Sequence, residues 1–154
     1  MKKLTLLLFI PLVFACSDDS NSDDVNLEIG DFHRGGIIFK VNPSGTTGEV
    51  VTMGDIGIMN WGEALSAAED FNFQGYNDWY LPSIYELELM YNTIGQGADN
   101  IGDFADGTYW SSTYTGNNPQ HASFFNFSNG NASNGMNPVL NCRVRFIRTF
   151  TPYD

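Results

Sequence analysis

Basic residues, histidine and cysteine are all scarce in this chain of 154 residues. Only 7 Lys and Arg stand against 18 Asp and Glu, which gives a formal charge of −11. So little positive charge disfavours nucleic acid and anionic lipid surfaces as partners, because both require clustered basic groups. The two histidines, His33 and His121, lie far apart in the sequence without the spacing of metal ligands, so no zinc site is predicted.

The two cysteines, Cys16 and Cys142, do not predict a disulfide framework. If Cys16 is acylated, Cys142 has no partner within the chain. Cys142 lies in a predicted strand, where a buried and unreactive thiol is the expected state. A nucleophilic cysteine needs a base, and no local motif ties either histidine to it. We therefore predict no catalytic residue.

Long hydrophobic runs are absent beyond the N-terminus. Lys2 and Lys3 precede an apolar stretch, residues 4–14, that is too short to span a bilayer. The stretch ends at Ala15-Cys16, which resembles the lipobox of bacterial lipoproteins. Residues 1–15 are therefore predicted to be a signal peptide and Cys16 the lipidated residue, so that an N-terminal lipid holds the chain to a membrane. An ordinary secretory signal or an uncleaved anchor is the alternative.

A polar segment follows the cysteine. Residues 17–24 (SDDSNSDD) contain no apolar side chain, so residues 16–26 are predicted to be a flexible, acidic tether. Residues 17–19 also resemble the acidic export signal of Bacteroidota-type lipoproteins, which implies a surface-exposed outer-membrane lipoprotein. A solvated spacer is the alternative. Without residues 1–15 the formal charge becomes −13, since only Lys2 and Lys3 are lost.

Residues 27–154 are enough for one domain with its own core. β-Branched and aromatic residues predict a hairpin from strands at 35–41 and 49–53. Apolar spacing predicts helices at 60–71 and 83–94. The second helix opens with Ser83 and Glu86, the pattern of a capping box, and Gly95 occupies the position of a C-terminal cap.

The second half of the domain is predicted to consist of strands and loops. Strands are predicted at residues 108–114, 121–127 and 142–150, with loops at 95–107 and 128–138 that are rich in Gly, Asp and Asn. In the last strand, residues 144, 146, 148 and 150 are expected to alternate with the others. A hairpin, two helices and a run of strands together predict an α+β fold.

Three segments in this order resemble a known family: residues 78–83 (DWYLPS) with Glu86 and Leu87, residues 109–113 (YWSST), and residues 144–148 (VRFIR). They resemble the C-terminal domain of Legionella collagen-like adhesin (Lcl_C) and its relative, the Fibrobacter succinogenes major paralogous domain. The resemblance implies a C-type-lectin-like fold, with two helices packed on short antiparallel sheets with long loops. Better-understood members are cell-surface adhesion modules that bind glycans or glycosaminoglycans.

Two departures limit what the resemblance implies. Relatives of the formylglycine-generating (sulfatase-modifying) type use a cysteine pair, whereas the domain here has Cys142 alone. The Glu-Pro-Asn and Gln-Pro-Asp motifs of calcium-dependent lectins are absent, so a sugar held through that ion is not implied. A charge of −13 also disfavours sulfated polysaccharides.

Loop residues are the preferred ligand candidates, because binding residues concentrate on loops of a rigid scaffold. Asparagine amides can both donate and accept hydrogen bonds, which suits hydroxyl-rich ligands. The candidates are Tyr114, Asn117, Asn118, Asn126, Phe127, Asn129, Asn131 and Asn134. The alternative is that Asn and Gly only form turns there. Trp61, Trp79 and Trp110 are expected to fill the core rather than to stack on sugars.

Charged residues give two further predictions. Asp99, Asp103 and Asp106 offer oxygen ligands for Ca²⁺, but they lack the order of an EF-hand loop, and a solvated acidic loop is the better interpretation. Arg143, Arg145 and Arg148 are expected to form internal ion pairs rather than to bind a ligand.

The sequence thus predicts a non-catalytic, surface-anchored binding or adhesion module for an extracellular glycan or protein. A structural or accessory envelope lipoprotein that acts through protein–protein contact is the alternative, and an enzyme of the formylglycine-generating type is less favoured. No cofactor is predicted.

Overall fold

The computed structural model describes residues 27–114 and 121–154. In these ranges the chain forms two helices and nine strands, arranged in two mostly antiparallel sheets. The fold class is therefore α+β, as the sequence predicts. The predicted signal peptide and tether, residues 1–26, lie outside the described residues.

The first sheet has four antiparallel strands in the order β1-β2-β3-β9. They are β1 (Phe32–His33), β2 (Gly36–Val41), β3 (Gly48–Val51) and β9 (Ile147–Phe150). The predicted hairpin is confirmed, because β2 pairs with β3. At Gly36 a Cβ atom would lie 2.5 Å from the carbonyl oxygen of Val51, so only glycine permits the observed approach of the two strands.

The second sheet has five strands in the order β4-β8-β5-β6-β7. They are β4 (Gly57–Met59), β5 (Thr108–Trp110), β6 (Ala122–Asn126), β7 (Asn131–Met136) and β8 (Cys142–Val144). Neighbouring strands are antiparallel, except that β5 and β8 run parallel.

Three strand predictions require correction. The predicted strand at 142–150 is two strands in different sheets, β8 and β9, and both faces of the connecting segment are buried, so the expected alternation fails at Arg145 and Ile147. The predicted loop at 128–138 contains β7, because pairing with β6 outweighs the low strand propensity of Asn and Gly. The strand predicted at 108–114 ends at Trp110.

The two helices, α1 (Trp61–Glu69) and α2 (Ile84–Thr93), each begin with a complete capping box. Asn60 and Glu63 form the first one, and the predicted pair Ser83 and Glu86 forms the second. These reciprocal bonds satisfy backbone N–H groups that a helix N-terminus otherwise leaves unpaired.

Gly95, which follows α2, does not act as the predicted C-terminal cap. The C-cap residue is Ile94, and Gly95 follows it without the positive φ of an αL cap. A Cβ atom at Gly95 would lie 2.8 Å from the Cα of Tyr91. Close packing against the helix, rather than a left-handed conformation, therefore requires glycine here.

Two hydrophobic clusters cover the two faces of the central strands, whereas β1 and β7 are largely exposed. Cluster one contains Ile38, Val50 and Trp110, whereas cluster two contains the adjacent residues, among them Val51 and Tyr109. Neighbouring residues of one strand therefore face different cores, as the period of two in a strand requires. The first helix adds Ala64 and Ala68 to cluster one, and the second adds Leu87 and Met90 to cluster two.

Candidate ligand-binding surface

The N-terminus of α1 carries a half-exposed aromatic face formed by Trp61 and Tyr114. Their rings are stacked, with centroids 6.2 Å apart and an interplanar angle of 27°. The indole N–H of Trp61 donates to the carbonyl oxygen of Ser111 at 2.8 Å, which fixes the ring on the surface. Tyr114 is 46% exposed. We name this pair the Trp61–Tyr114 face.

Hydrogen bonds to several elements hold this face in place. The backbone N–H of Trp61 donates to the carbonyl of Pro138 at 3.0 Å, which brings the turn before β8 alongside. The hydroxyl of Thr113, the residue before Tyr114, accepts from the backbone N–H of Ile84 at 3.0 Å, at the start of α2. The chain around both rings is therefore fastened to both helices.

The turn beside the face is apolar and exposed. Val139 is 73% exposed and Leu140 is 52% exposed. The side chain of Asn137 accepts from the backbone N–H of Val139 at 3.1 Å, which shapes the turn. Two exposed aliphatic side chains thus follow the residue whose carbonyl oxygen binds the backbone of Trp61.

The predicted ligand residues divide into two groups. Tyr114 belongs to the Trp61–Tyr114 face, and Asn117 and Asn118 lie outside the described residues. The other group lies on β6, β7 and the turn between them. Asn126 pairs with Thr108, at the opposite end of β5 from Tyr114, whereas Asn134 binds Ser123, whose carbonyl oxygen accepts from the backbone N–H of Ser111. The described candidates therefore do not all lie on one surface.

In the second group, two asparagine side chains, those of Asn126 and Asn129, contact their own turn. Asn126 accepts from the backbone N–H of Ser128 at 2.8 Å, and Asn129 accepts from that of Asn131 at 3.1 Å. Asn131 is exposed, and Asn134 accepts from the hydroxyl of Ser123 at 2.9 Å. These contacts agree with the turn-forming alternative for Asn126 and Asn129.

Phe127 lies in the core rather than on a binding surface. Its side chain has no exposed area, and its ring stacks on Phe104 with centroids 4.3 Å apart. Tyr109 contacts it edge-on at 4.8 Å. As a ligand candidate Phe127 is wrong, because a ring enclosed by other rings presents no surface to a ligand.

The tryptophan predictions are confirmed for Trp79 and Trp110, both of which are buried in cluster one. Trp61 is only partly buried and packs against the same cluster. Helical periodicity predicts that Trp61 lies on the apolar face of α1. It does not predict that Tyr114, 53 positions later, stacks on Trp61.

The calcium candidates lie in the loop after α2 but do not form a cluster. Asp106 accepts from the side-chain amide of Gln96 at 2.8 Å, and Asp99 accepts from the backbone N–H of Ile101 at 3.4 Å. Within 27–114 and 121–154, no group of three or more His, Cys, Asp or Glu residues is placed to hold a metal ion.

Asp55 is the centre of a buried polar network that sequence reasoning missed. Its carboxylate accepts from Arg145 Nε at 2.7 Å, from Arg143 Nη1 at 2.9 Å and from the Tyr109 hydroxyl at 2.9 Å. Burial, followed by the charge of Asp55, raises the pKa of Tyr109 to about 12. Tyr109 therefore stays protonated and acts as a hydrogen-bond donor.

Arg148, in β9, pairs with carboxylates from two other segments. It donates to both carboxylate oxygens of Asp78, at 2.6 and 2.9 Å, and to Asp154 at 3.0 Å. Burial opposes the charge, but the bonds to these carboxylates outweigh it and raise the pKa of Arg148. The predicted internal ion pairing of the three arginines is thus confirmed.

The electrostatic character of the described surface follows from these pairs. All five basic residues in the described ranges, namely Arg34, Lys40, Arg143, Arg145 and Arg148, lie within 4.0 Å of a carboxylate. The same ranges contain 14 acidic residues. The field around the domain is therefore negative.

Cys142 is buried beside Met136, whose sulfur lies 3.2 Å from its Sγ, and the hydroxyl of Thr108 donates to Sγ at 3.3 Å. Burial raises the pKa of Cys142, which keeps the thiol protonated. The buried thiol predicted from the sequence is confirmed.

A family model, that of the Lcl C-terminal domain, matches residues 36–148. No curated protein matches the chain. The described part of the chain has no helix of the length and apolar character needed to cross a membrane. The matched range includes both helices, every strand of the second sheet and the Trp61–Tyr114 face.

Proposed function

Because the chain belongs to the Lcl C-terminal domain family, a family of surface or adhesin-like domains, we propose that it is a non-catalytic binding module for an extracellular glycan. The observation that carries the proposal is the Trp61–Tyr114 face. A sugar presents C–H groups on one side and hydroxyls around its edge, so a fixed aromatic surface beside polar groups suits it.

Two asparagines that closely follow Tyr114 in the sequence are the proposed polar part of the site. Asn117 and Asn118 have amides that both donate and accept hydrogen bonds. We assign them the recognition of sugar hydroxyls.

The charge of the domain indicates which class of glycan it binds. A sulfated polysaccharide requires exposed cations, and the five described basic residues already have carboxylate partners. The proposed ligand is therefore a neutral glycan.

The chemistry of Cys142 supports a non-catalytic role. An oxidase of the formylglycine-generating type uses a pair of accessible thiols, whereas Cys142 is buried with a raised pKa. The proposal also includes the C-type-lectin-like form of the α+β fold and attachment of the chain to the outer face of the outer membrane through a lipid on Cys16. No bound metal is part of it.

A second function, contact with another envelope protein, is favoured by one observation. Val139 and Leu140 are exposed beside the aromatic face, and clustered exposed apolar side chains are typical of protein interfaces. In this alternative the chain is a structural or accessory lipoprotein.

Glycan-array binding of the chain from Ser17 onward tests the proposal. We expect binding to neutral glycans, little binding to sulfated ones, and at least a tenfold loss of affinity in Tyr114→Ala, because half of the stacking surface is removed. Tyr85→Ala removes an exposed tyrosine from α2 and is the matched control. Absence of glycan binding, together with capture of one envelope protein that Leu140→Ser abolishes, would establish the alternative instead.

A further inference from the structure

A second candidate surface is a cavity of about 200 Å³ on the crossover between the two sheets. Residues 52–56, which connect β3 to β4, form one wall, and Phe71 and Phe73, which follow α1, form the other. None of these residues belongs to the Trp61–Tyr114 face. The cavity is smaller than the roughly 300 to 1,000 Å³ typical of small-molecule sites, which favours a single side chain over a whole small molecule as its guest.

The walls of the cavity are held by backbone hydrogen bonds. Thr52 N–H donates to Phe146 O at 2.9 Å, and Ile56 N–H donates to Val144 O at 2.8 Å. On the other side, Phe73 and Tyr76 exchange bonds of 3.0 and 3.1 Å across a two-residue turn. The cavity is therefore formed before any partner arrives, which lowers the entropic cost of binding.

The cavity offers apolar contact and little hydrogen bonding. Phe71 packs edge-on against Trp79 and Phe146, whereas Met53 and Phe73 stay exposed at the rim, at 53% and 38%. The one carboxylate in the wall, Asp55, already accepts from two arginines and a tyrosine. A guest must therefore be an apolar group.

The charges next to the cavity residues in the sequence indicate what flanks that apolar group. Glu69 and Asp70 directly precede Phe71 and are both exposed. Arg143 and Arg145 are engaged with Asp55, and Arg34, the neighbour of Gly35 that faces Phe73, is paired with Asp154. Basic residues beside the apolar side chain of a partner segment would increase its association rate and its specificity, because their charge is complementary to that of Glu69 and Asp70.

We propose that this cavity, lined by residues 52–56, Phe71 and Phe73, binds a protein segment in which a Leu, Met or Phe side chain is flanked by Lys or Arg. The site is independent of the glycan surface. It would let the module contact a basic protein segment while the Trp61–Tyr114 face holds a ligand.

The test uses the chain from Ser17 onward, which keeps both hydrophobic clusters, labelled with ¹³C at the methionine methyl groups. The probe is the peptide acetyl-Lys-Lys-Phe-Lys-Lys-amide. We expect the Met53 signal to shift when the peptide is added, whereas the signal of Met90, a buried residue of α2, should not shift. The proposal is overturned if Met53 does not respond, or if it responds equally to a peptide with Ser for Phe or to one with Glu for Lys. A Met53 shift on simple dilution would assign the cavity to a second copy of the chain and overturn it too.

Variants locate the contact, with affinity measured by fluorescence anisotropy of the labelled peptide. Phe73→Ala is expected to weaken binding at least tenfold, and Tyr85→Ala to leave it unchanged. If Phe73→Ala does not fold by circular dichroism, Met53→Gln, at a more exposed position, decides in its place. Unchanged affinity in the folded variant contradicts the proposal.

Discussion

His33 is a residue whose protonation the fold opposes. Its Nε2 accepts from Arg34 Nε at 3.0 Å, and its ring contacts Phe150 edge-on with centroids 4.7 Å apart. Burial, followed by the charges of Arg34 and Arg148, lowers the pKa of His33 below its ordinary value of 6.5. Asp154 and Asp31 act in the opposite direction but do not reverse the shift.

This lowered pKa predicts a pH dependence of stability. As the pH falls below 6.5, His33 becomes protonated in the unfolded chain before it becomes protonated in the folded chain. The free energy of unfolding should therefore fall as the pH decreases from 6.5 to the pKa of His33 in the folded state. Urea unfolding at pH 7 and pH 5 measures this loss. In His33→Gln the loss should be smaller than in the parent. Equal losses in the two proteins would contradict the assignment.

The ion-pair partners of individual side chains were the feature that the sequence predicted least well. Asp78, for example, binds Arg148, which is 70 positions away in the sequence. The sequence indicates that buried arginines need carboxylates but not which of 14 described acidic residues each one finds. The choice depends on how β9 pairs, since Tyr80 and Ile147 exchange backbone hydrogen bonds of 2.9 Å that bring Asp78 to Arg148.

Helix starts were the most predictable elements, because their signals are local. The backbone N–H of Ser83 donates to Glu86 at 2.6 Å, and that of Glu86 donates to the Ser83 hydroxyl at 3.3 Å. Removing the hydroxyl in Ser83→Ala should lower the free energy of unfolding by about 1 kcal/mol. Chemical denaturation measures the change.

The control for the cap is the same substitution inside a helix. Ser66 is exposed within α1, where alanine is the better helix former, so Ser66→Ala should leave stability unchanged or raise it slightly. Equal destabilisation by the two substitutions would show that the cap of α2 is not what Ser83 contributes.

Strand boundaries were harder to predict than helix starts, and the reason is physical. The sequence predicted the β2–β3 hairpin because a turn separates two apolar runs, but it predicted one strand where β8 and β9 lie in different sheets. The alternation in residues 142–150 indicates a strand, but it does not indicate that the two halves belong to different sheets. The same limit applies to the candidate surface, because Trp61 and Tyr114 meet only through the tertiary fold.

At the scale of the whole molecule, the two clusters share their strands. Ile37 and Phe39 of β2 face cluster two while Ile38 faces cluster one, and Val50 and Val51 divide in the same way. Loss of one cluster therefore removes the support of strands that the other requires. The described domain should behave as one cooperative unit, in which damage to either core destabilises both.

Tryptophan fluorescence tests this coupling, because all three tryptophans lie in or against cluster one. Leu87 is fully buried in cluster two, so Leu87→Ala should cost about 2 to 5 kcal/mol through lost packing and the cavity it leaves. We expect the tryptophan-detected transition to move to lower urea by the same amount as the transition detected by circular dichroism. Tyr85→Ala, an exposed change on the same helix, should move neither. A tryptophan transition that stays at the parent midpoint while circular dichroism shows an earlier loss of structure would mean that the two clusters unfold separately.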